Sequence, residues 1–255
     1  MTIMSDSLSK IELLQITKRF ETGTALHDIT FSVEPGERIA LLGPSGAGKS
    51  LTLRLIAGLE KPTTGTVQID GRPMNALRRF FAPSRRGTGL VTQDMPLHPQ
   101  KDALAFVRSG FRGKKISSED RNRYIRDMME RLEVAGKERR LPHQLSGGER
   151  GRFALIRALA PGNRILLLDE PLSALDPHQR EEMIDLIRTL HDEMSLTTIY
   201  VTHYIEEAQS LCDRVILLCN GRIIQQGTWT DLKYKPVEPF ARDYLTMTTR
   251  FHIAR

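Results

Sequence analysis

Cysteine is scarce in this chain: Cys212 and Cys219 are the only two in 255 residues, both within "SLCDRVILLCNG". No second Cys/His cluster supplies metal-ligand spacing, so the pair reads as reduced thiols, Cys219 near the end of a buried strand. That excludes a disulfide scaffold and a zinc site. Long hydrophobic runs are missing too. The longest, "RILLLDEP" and "RVILLCNG", are strand-length, against the roughly 20 apolar residues that a membrane-spanning helix requires. The N-terminal "MTIMSDSLSK" lacks the apolar core of a secretory signal. A cytoplasmic protein is expected, with any membrane association made through a partner. The basic pairs Arg78-Arg79, Arg85-Arg86, Lys114-Lys115 and Arg139-Arg140 have no interleaved aromatics and form no continuous run. They argue against nucleic acid as a partner and leave a phospholipid surface or plain solvation. No internal repeat or low-complexity segment is evident.

What is present has the balance of an ordinary globular protein, 40% apolar and 27% charged, with a modest net charge of +6. "KIELLQITKRF" and "ALHDITFSVEPGERIALLG" alternate as strands do, divided by Gly23 and Pro35-Gly36. "GTVQIDGRP" adds a short strand closed by Asp70-Gly71, and these pieces predict an antiparallel sheet laid beside the core. From about residue 102 to 140 the pattern turns helical and highly charged, with Ser117 or Ser118 as a helix cap and Asp120 near the positive end. Two βα units follow: "RILLLDEP" with a helix over 177–193, and "TTIYVTH" with a helix over 204–212. "RVILLCNGRIIQQGT" reads as a hairpin turning at Asn220-Gly221.

"GPSGAGKS" (Gly43, Pro44, Ser45, Gly46, Ala47, Gly48, Lys49, Ser50) follows the apolar strand "RIALL" and precedes the helix that begins with Leu51. This is the phosphate-loop pattern in the context its mechanism requires. The glycines let backbone N–H groups close around phosphates, Lys49 neutralises the β and γ oxygens, and the Ser50 hydroxyl binds Mg²⁺. A nucleoside triphosphate is the expected ligand. The loop alone leaves kinase, GTPase, helicase and transporter motor open. "ILLLDE" narrows the choice: four apolar residues form a buried parallel strand, and two carboxylates emerge at its end. Asp169 can hold Mg²⁺ through water. Glu170, one step further, can polarise a water for attack on the γ-phosphate.

A second anion site is expected in "LPHQLSGGERGRFALIRALAPGN". Phe153, Leu155, Ile156, Leu159 and Ala160 give this helix an apolar stripe, and Pro161-Gly162 ends it. At its start, Ser146, Gly147 and Gly148 leave the first backbone N–H groups bare, the arrangement that holds an anion.

Taken together, these residues resemble the nucleotide-binding subunit of ATP-binding-cassette (ABC) transporters, over roughly residues 9–245. The most specific element is "LSGGE", Leu145 to Glu149, which resembles the family's signature. Phe20 matches the aromatic that stacks on adenine, and Gln93 the glutamine that senses Mg²⁺ and the attacking water. "SALD", ending in Asp176, matches the D-loop, and His203 the switch histidine at the γ-phosphate. The resemblance implies an α/β fold: a P-loop NTPase core (RecA-like) with an antiparallel β subdomain and an inserted helical subdomain at about 94–155, and a C-terminal tail at 246–255. It implies ATP and Mg²⁺ as ligands, with Ser50, Gln93 and Asp169 around the metal and Glu170, His203 and Gln93 as the catalytic set. Ser146, Gly147, Gly148 and Glu149 would meet the γ-phosphate of an ATP held by a second subunit, which accounts for an anion site without a cation of its own. The chain must then dimerise, with itself or with a related ABC subunit.

Some positions depart from the commonest pattern. Glu149 stands where Gln is more usual, for which modest tuning is expected. Thr92 replaces a frequent Phe, and "DMPLHPQKDALAFV" is loosely matched, in a region that contacts the permease in the family. The C-terminal "GRIIQQGTWTDLKYKPVEPFARDYL" is similar to the tail of bacterial solute-import ATPases. The resemblance therefore implies a peripheral protein on the cytoplasmic face of the inner membrane, hydrolysing ATP to drive separate permease subunits fed by an extracytoplasmic solute-binding protein. Importers of sugars, sulfate or iron often add a regulatory β-domain after this point. The compact form suits small polar or charged solutes such as osmolytes, amino-acid-like compounds, oxyanions or phosphonates. The alternatives are a lipid-trafficking or export motor and a soluble ABC ATPase acting on ribosomes or DNA. The latter usually carries tandem cassettes or a long coiled coil.

Overall fold

A computed structural model describes residues 10–76, 79–93 and 99–250, with side chains through residue 245. The chain opens with an antiparallel hairpin of β1 (Ile11–Phe20) and β2 (Gly23–Val33), Phe20 opposite Gly23. β3 (Arg38–Leu42) leads through the glycine loop into α1 (Lys49–Ala57). β4 (Thr64–Ile69) returns to pair with β1, followed by the two-residue strands β5 (Arg72–Pro73), β6 (Asn75–Ala76) and β7 (Arg79–Phe80). β8 (Thr88–Val91) precedes three helices: α2 (Ala103–Ser109), α3 (Ser118–Arg131) and α4 (Gly147–Ala158). Then β9 (Ile165–Asp169), α5 (Pro177–Met194), β10 (Thr197–Val201) and α6 (Ile205–Leu211) alternate. β11 (Arg214–Cys219) and β12 (Arg222–Thr228) form a hairpin, and α7 (Trp229–Tyr234) and α8 (Pro239–Arg250) follow.

The central sheet has the order β12-β11-β3-β10-β9-β8, parallel throughout except for β12. Its inner strands β3, β9 and β10 are buried almost throughout because both faces are covered, while the edge strands β8 and β12 are partly open. Ala40, Leu42, Leu166 and Leu168 join a core built with α2 to α6. Their neighbours Ile39, Leu41, Ile165 and Leu167 join a second core with α1 and the antiparallel sheet β2-β1-β4-β5. The register sets Leu41, Val201 and Asp169 in one row, so the loops after β3, β10 and β9 leave the sheet at the same edge. In an open parallel sheet that edge is where ligands bind.

The expected antiparallel sheet, both βα units and the hairpin at Asn220-Gly221 are all present. Asn220 and Gly221 both adopt positive φ, at 48° and 70°, as the tight two-residue turn demands. Ser117 is the cap of α3, its hydroxyl accepting from the Asp120 N–H. One expectation is corrected. Arg86, read with Arg85 as a surface pair, is only 3% exposed. It donates to the carbonyls of Leu55, Ile56 and Phe81 at 2.8, 3.0 and 2.9 Å. The first two lie in the last turn of α1, where carbonyls run short of intrahelical donors, and burial pushes the guanidinium pKa down to about 10.

Candidate nucleotide site

Two glycines determine where the loop after β3 can run. A Cβ on Gly43 would lie 2.1 Å from the Leu218 carbonyl oxygen, and one on Gly48 would lie 2.4 Å from Leu26 Cδ2. The loop is therefore pressed between β11 and β2, with φ of 144° and 99° at these positions. Gly48 caps α1 without a side-chain bond, and no acid stands in the first turn. The helix start thus keeps its N–H groups and positive dipole end for an anion.

Lys49 is buried in the first turn. Its ammonium donates to the carbonyls of Gly43 at 2.7 Å and Pro44 at 2.9 Å. Burial lowers its pKa from the ordinary value, opposed by the nearby charges of Glu170 and Asp169. The Ser50 hydroxyl donates to Asp169 Oδ1 at 2.8 Å across the gap between α1 and the end of β9. Burial raises the Asp169 pKa, an effect only partly countered by that hydrogen bond. Glu170 sits at φ 48°, its N–H donating to the Val201 carbonyl at 2.9 Å. Its carboxylate meets His203 Nδ1 at 3.2 Å. The two adjacent carboxylates thus serve different partners, one on the phosphate-loop helix and one beyond β10.

The helix start at Ser146 differs from expectation in one respect. Its N–H groups are not all bare: the Ser146 hydroxyl accepts from the Glu149 N–H at 3.1 Å, and Glu149 accepts from the Ser146 N–H at 2.9 Å. This reciprocal cap leaves the amides of Gly147 and Gly148 for a ligand. Cations also stand nearby, with Lys137 and Arg140 at 2.8 and 3.7 Å from Glu149. The Lys137 hydrogen bond is the main reason the Glu149 pKa lies below the usual carboxylate range. Gly147 packs so closely on the D-loop that a Cβ there would lie 3.1 Å from Leu175 and 3.2 Å from the Ala174 carbonyl. Outside the α4 ladder, the bonds of Ser146–Glu149 among the described residues run to one another, to Arg150, Lys137 and Arg140, and none to Gly43–Ser50.

Phe20 is exposed at the end of β1, with the Lys18 ammonium 4.8 Å from its ring centre. Gln93 is exposed just after β8; residues 94–98 of the loosely matched segment lie outside the described residues. Asp176 caps α5, accepting from the Gln179 N–H at 2.9 Å. Sequence reasoning missed a group behind His203: Tyr204, Arg180 and Glu207, drawn from two helix starts that only the fold brings together.

Strand, glycine loop and helix start, with two carboxylates at a neighbouring strand end, define a P-loop nucleotide-binding fold. Residues 26–173 match the family described as ABC transporter. The sulfate/thiosulfate import ATP-binding protein of Bacillus cereus is 37% identical over 246 residues, 95% of this chain and 68% of that protein. Its counterpart in Mycobacterium tuberculosis is 40% identical over 235 residues, 92% of this chain and 66% of that one. The spermidine/putrescine import ATP-binding protein of Rubrobacter xylanophilus is 39% identical over 238 residues, 93% of this chain and 62% of that one. The chain thus spans about two thirds of the length of these relatives. Among solved structures, the dimeric structure of a bacterial ABC transporter cassette aligns with a TM-score of 0.75 and 33% identity, covering 86% of this chain and 98% of that one. A dimeric post-hydrolysis state of that cassette, bound to ADP and Pi, aligns with the same TM-score at 32% identity, with the same coverage of both chains. This chain belongs to the ABC transporter family.

Proposed function

We propose that this chain is the ATP-hydrolysing subunit of a membrane ABC importer, acting as a head-to-tail dimer on separate permease subunits. The observation that carries this reading is the row of strand ends Leu41, Val201 and Asp169. It gathers a phosphate loop, the Ser50–Asp169 pair and the Glu170–His203 pair at one edge, while Ser146–Gly148 keeps to bonds of its own. Residues 9–245 read as one ATPase domain, with the antiparallel sheet as N-terminal lobe and a helical lobe at about 94–155; the tail expected at 246–255 begins inside α8, and residues 9, 77–78, 94–98 and 251–255 lie outside the described residues.

ATP lies with its adenine on Phe20 and its phosphates over Gly43–Ser50. Lys49 exchanges the carbonyls of Gly43 and Pro44 for β- and γ-phosphate oxygens. Ser50 and Asp169, a hydroxyl and a carboxylate 2.8 Å apart, fit Mg²⁺, which prefers hard oxygen ligands and shares its shell with phosphates and water. Ser50 and Gln93 would hold the ion directly and Asp169 through water, and the ion would neutralise charge on the phosphates. Glu170 orients or deprotonates the attacking water, and His203 stabilises the transferring phosphoryl group; positioning and electrostatics do most of the work in such chemistry. Ser146–Gly148 of a second subunit closes the site. Asp176 couples the two sites, supported by the packing of Gly147 on Leu175 in the same chain.

Relatives named for sulfate and for polyamines, solutes of opposite charge, are 37% and 39% identical to this chain. Overall similarity thus does not choose between them, and the proposed solute stays at small and polar or charged. Among the described residues no helix is long and apolar enough to cross a membrane. The proposed arrangement has separate permease subunits, with this chain peripheral on the cytoplasmic face. A groove of about 410 Å³ between β8 and the helices, lined by Leu59, Thr92, Arg112, Lys114 and Arg157, suits a cytoplasmic permease segment with an apolar ridge and acidic residues.

The test is mild detergent extraction of the tagged chain from its native membranes, with mass spectrometry of what co-purifies. A polytopic permease and a solute-binding protein are expected, lost together when Arg112 and Lys114 are both changed to Glu. Ribosomal proteins without a permease would overturn the importer and leave the ATPase.

A further inference from the structure

Behind His203 lies a run of contacts reaching back to the D-loop. The imidazole is half exposed, so one contact with Glu170 at 3.2 Å leaves its ring free to swing between staggered rotamers. A second contact narrows that freedom. The Tyr204 ring stands 4.1 Å from the imidazole, centre to centre, inclined by 37°. On the tyrosine ring lies the Arg180 guanidinium, 4.8 Å from its centre. Arg180 is itself held: Nε is 3.3 Å from Glu207 Oε1, and another nitrogen donates to the Leu175 carbonyl at 3.3 Å.

Glu207 is a buried acid, 4% exposed; its Oε1 faces Arg180 Nε as an ion pair at 3.3 Å, and neither atom has a hydrogen-bond partner among the described residues. Its Oε2 accepts from the hydroxyls of Tyr200 and Thr202, each at 2.8 Å. The Thr202 hydroxyl in turn accepts from the Tyr204 N–H at 3.0 Å. Backbone and ring of Tyr204 are thus fixed from two sides by groups that answer to one buried carboxylate. An ion pair with one buried partner is weak evidence of stability; what restrains Arg180 is that Glu207, the Leu175 carbonyl and the Tyr204 ring all meet the one guanidinium.

We propose that Tyr204 is a positioning residue for ATP hydrolysis: clamped by Arg180, its ring holds the His203 imidazole toward Glu170 and the γ-phosphate. Arg180 stands on α5, whose cap is Asp176, and it grips the Leu175 carbonyl of the D-loop. A shift of that loop therefore reaches His203 through Arg180 and Tyr204, tying closure of the subunit interface to the chemistry. The inference rests on the roles proposed above for Glu170 and His203.

The test compares steady-state Mg²⁺-ATPase activity, the KM for ATP and imidazole NMR in wild type, Tyr204→Ala, Tyr204→Leu, Tyr204→Phe and His203→Ala. Tyr204→Ala should lower kcat about tenfold or more, as expected when a reacting group is misplaced, with KM within about twofold of wild type. Tyr204→Phe should restore kcat because it restores the ring. Tyr204→Leu keeps apolar bulk without the π face, and should stay low even if the alanine variant folds poorly. The His203 ring protons, assigned by their absence in His203→Ala, should lose their ring-current shift in Tyr204→Ala and Tyr204→Leu and keep it in Tyr204→Phe. Wild-type kcat in the alanine or leucine variant, or an unmoved His203 signal, would overturn the positioning role while leaving the ATPase intact. Wild-type turnover in His203→Ala would instead overturn the underlying assignment of the histidine.

Discussion

At Lys49 and Asp169 burial works against charge, and the two residues show what the site costs the fold. The ammonium is pushed toward its neutral form and so is the carboxylate, each held partly by the other's field. For Asp169 the folded pKa lies above the unfolded one, so its contribution to stability is fully present below the unfolded carboxylate value, about 3.9. It is lost as pH rises through the folded value. Asp169→Asn keeps an oxygen for the Ser50 hydroxyl and removes the charge. The variant should melt above wild type at neutral pH, by roughly 2–4 °C for each kcal/mol relieved, and the gap should close below about pH 3.9. Thermal melts across that range check it. The same change should weaken Mg²⁺-dependent ATP binding, a local exchange of stability for function.

At the scale of elements, strand ends and caps decide what a sequence reader can see. β3, β9, β10 and β11 are apolar along their length and stand out in the chain. β8 does not, although it lies in the same sheet. Its "TGLV" is diluted by Gly89, whose place is required because a Cβ there would lie 2.0 Å from the Ala158 carbonyl oxygen on α4. The close approach of helix to strand removes the residue type that would have signalled the strand. The start of α4 was half readable. Ser146 and the glycines marked an anion site, but the reciprocal bond with Glu149 and the cations at Lys137 and Arg140 depend on a loop folding back. Arg86 shows the opposite failure, a charge that local pattern assigns to the surface and tertiary structure uses to close α1. Caps elsewhere are purely structural. Ser117→Ala should lower stability by about 1 kcal/mol through loss of the α3 cap, with ATPase activity unchanged. Denaturant unfolding beside an activity assay reads both.

For the whole molecule, the proposed head-to-tail arrangement makes a complete site from two chains, each giving one of the two separate clusters. Glu170→Gln is the sharpest probe of that division. The amide keeps the shape of the side chain and should leave ATP binding intact, while turnover falls by about a hundredfold or more, the range for loss of a general base. With hydrolysis blocked, ATP should hold two chains together. Light scattering on a sizing column should then show a dimer with ATP and a monomer without it. A monomer under both conditions would refute the head-to-tail arrangement, and unchanged turnover would remove Glu170 from the water.

The two thiols differ in a way that can be put to use. Cys212 is buried, its pKa driven well above the ordinary thiol value by burial, while its carbonyl accepts from the Trp229 indole. Cys219 is partly accessible at the end of β11 and directly follows Leu218, whose carbonyl abuts Gly43 of the phosphate loop. A maleimide dye applied to the unaltered protein should therefore attach at one place, one residue from the wall of the nucleotide site. A dye at that position should change its emission when ATP occupies the phosphate loop, which fluorescence titration with ATP would read.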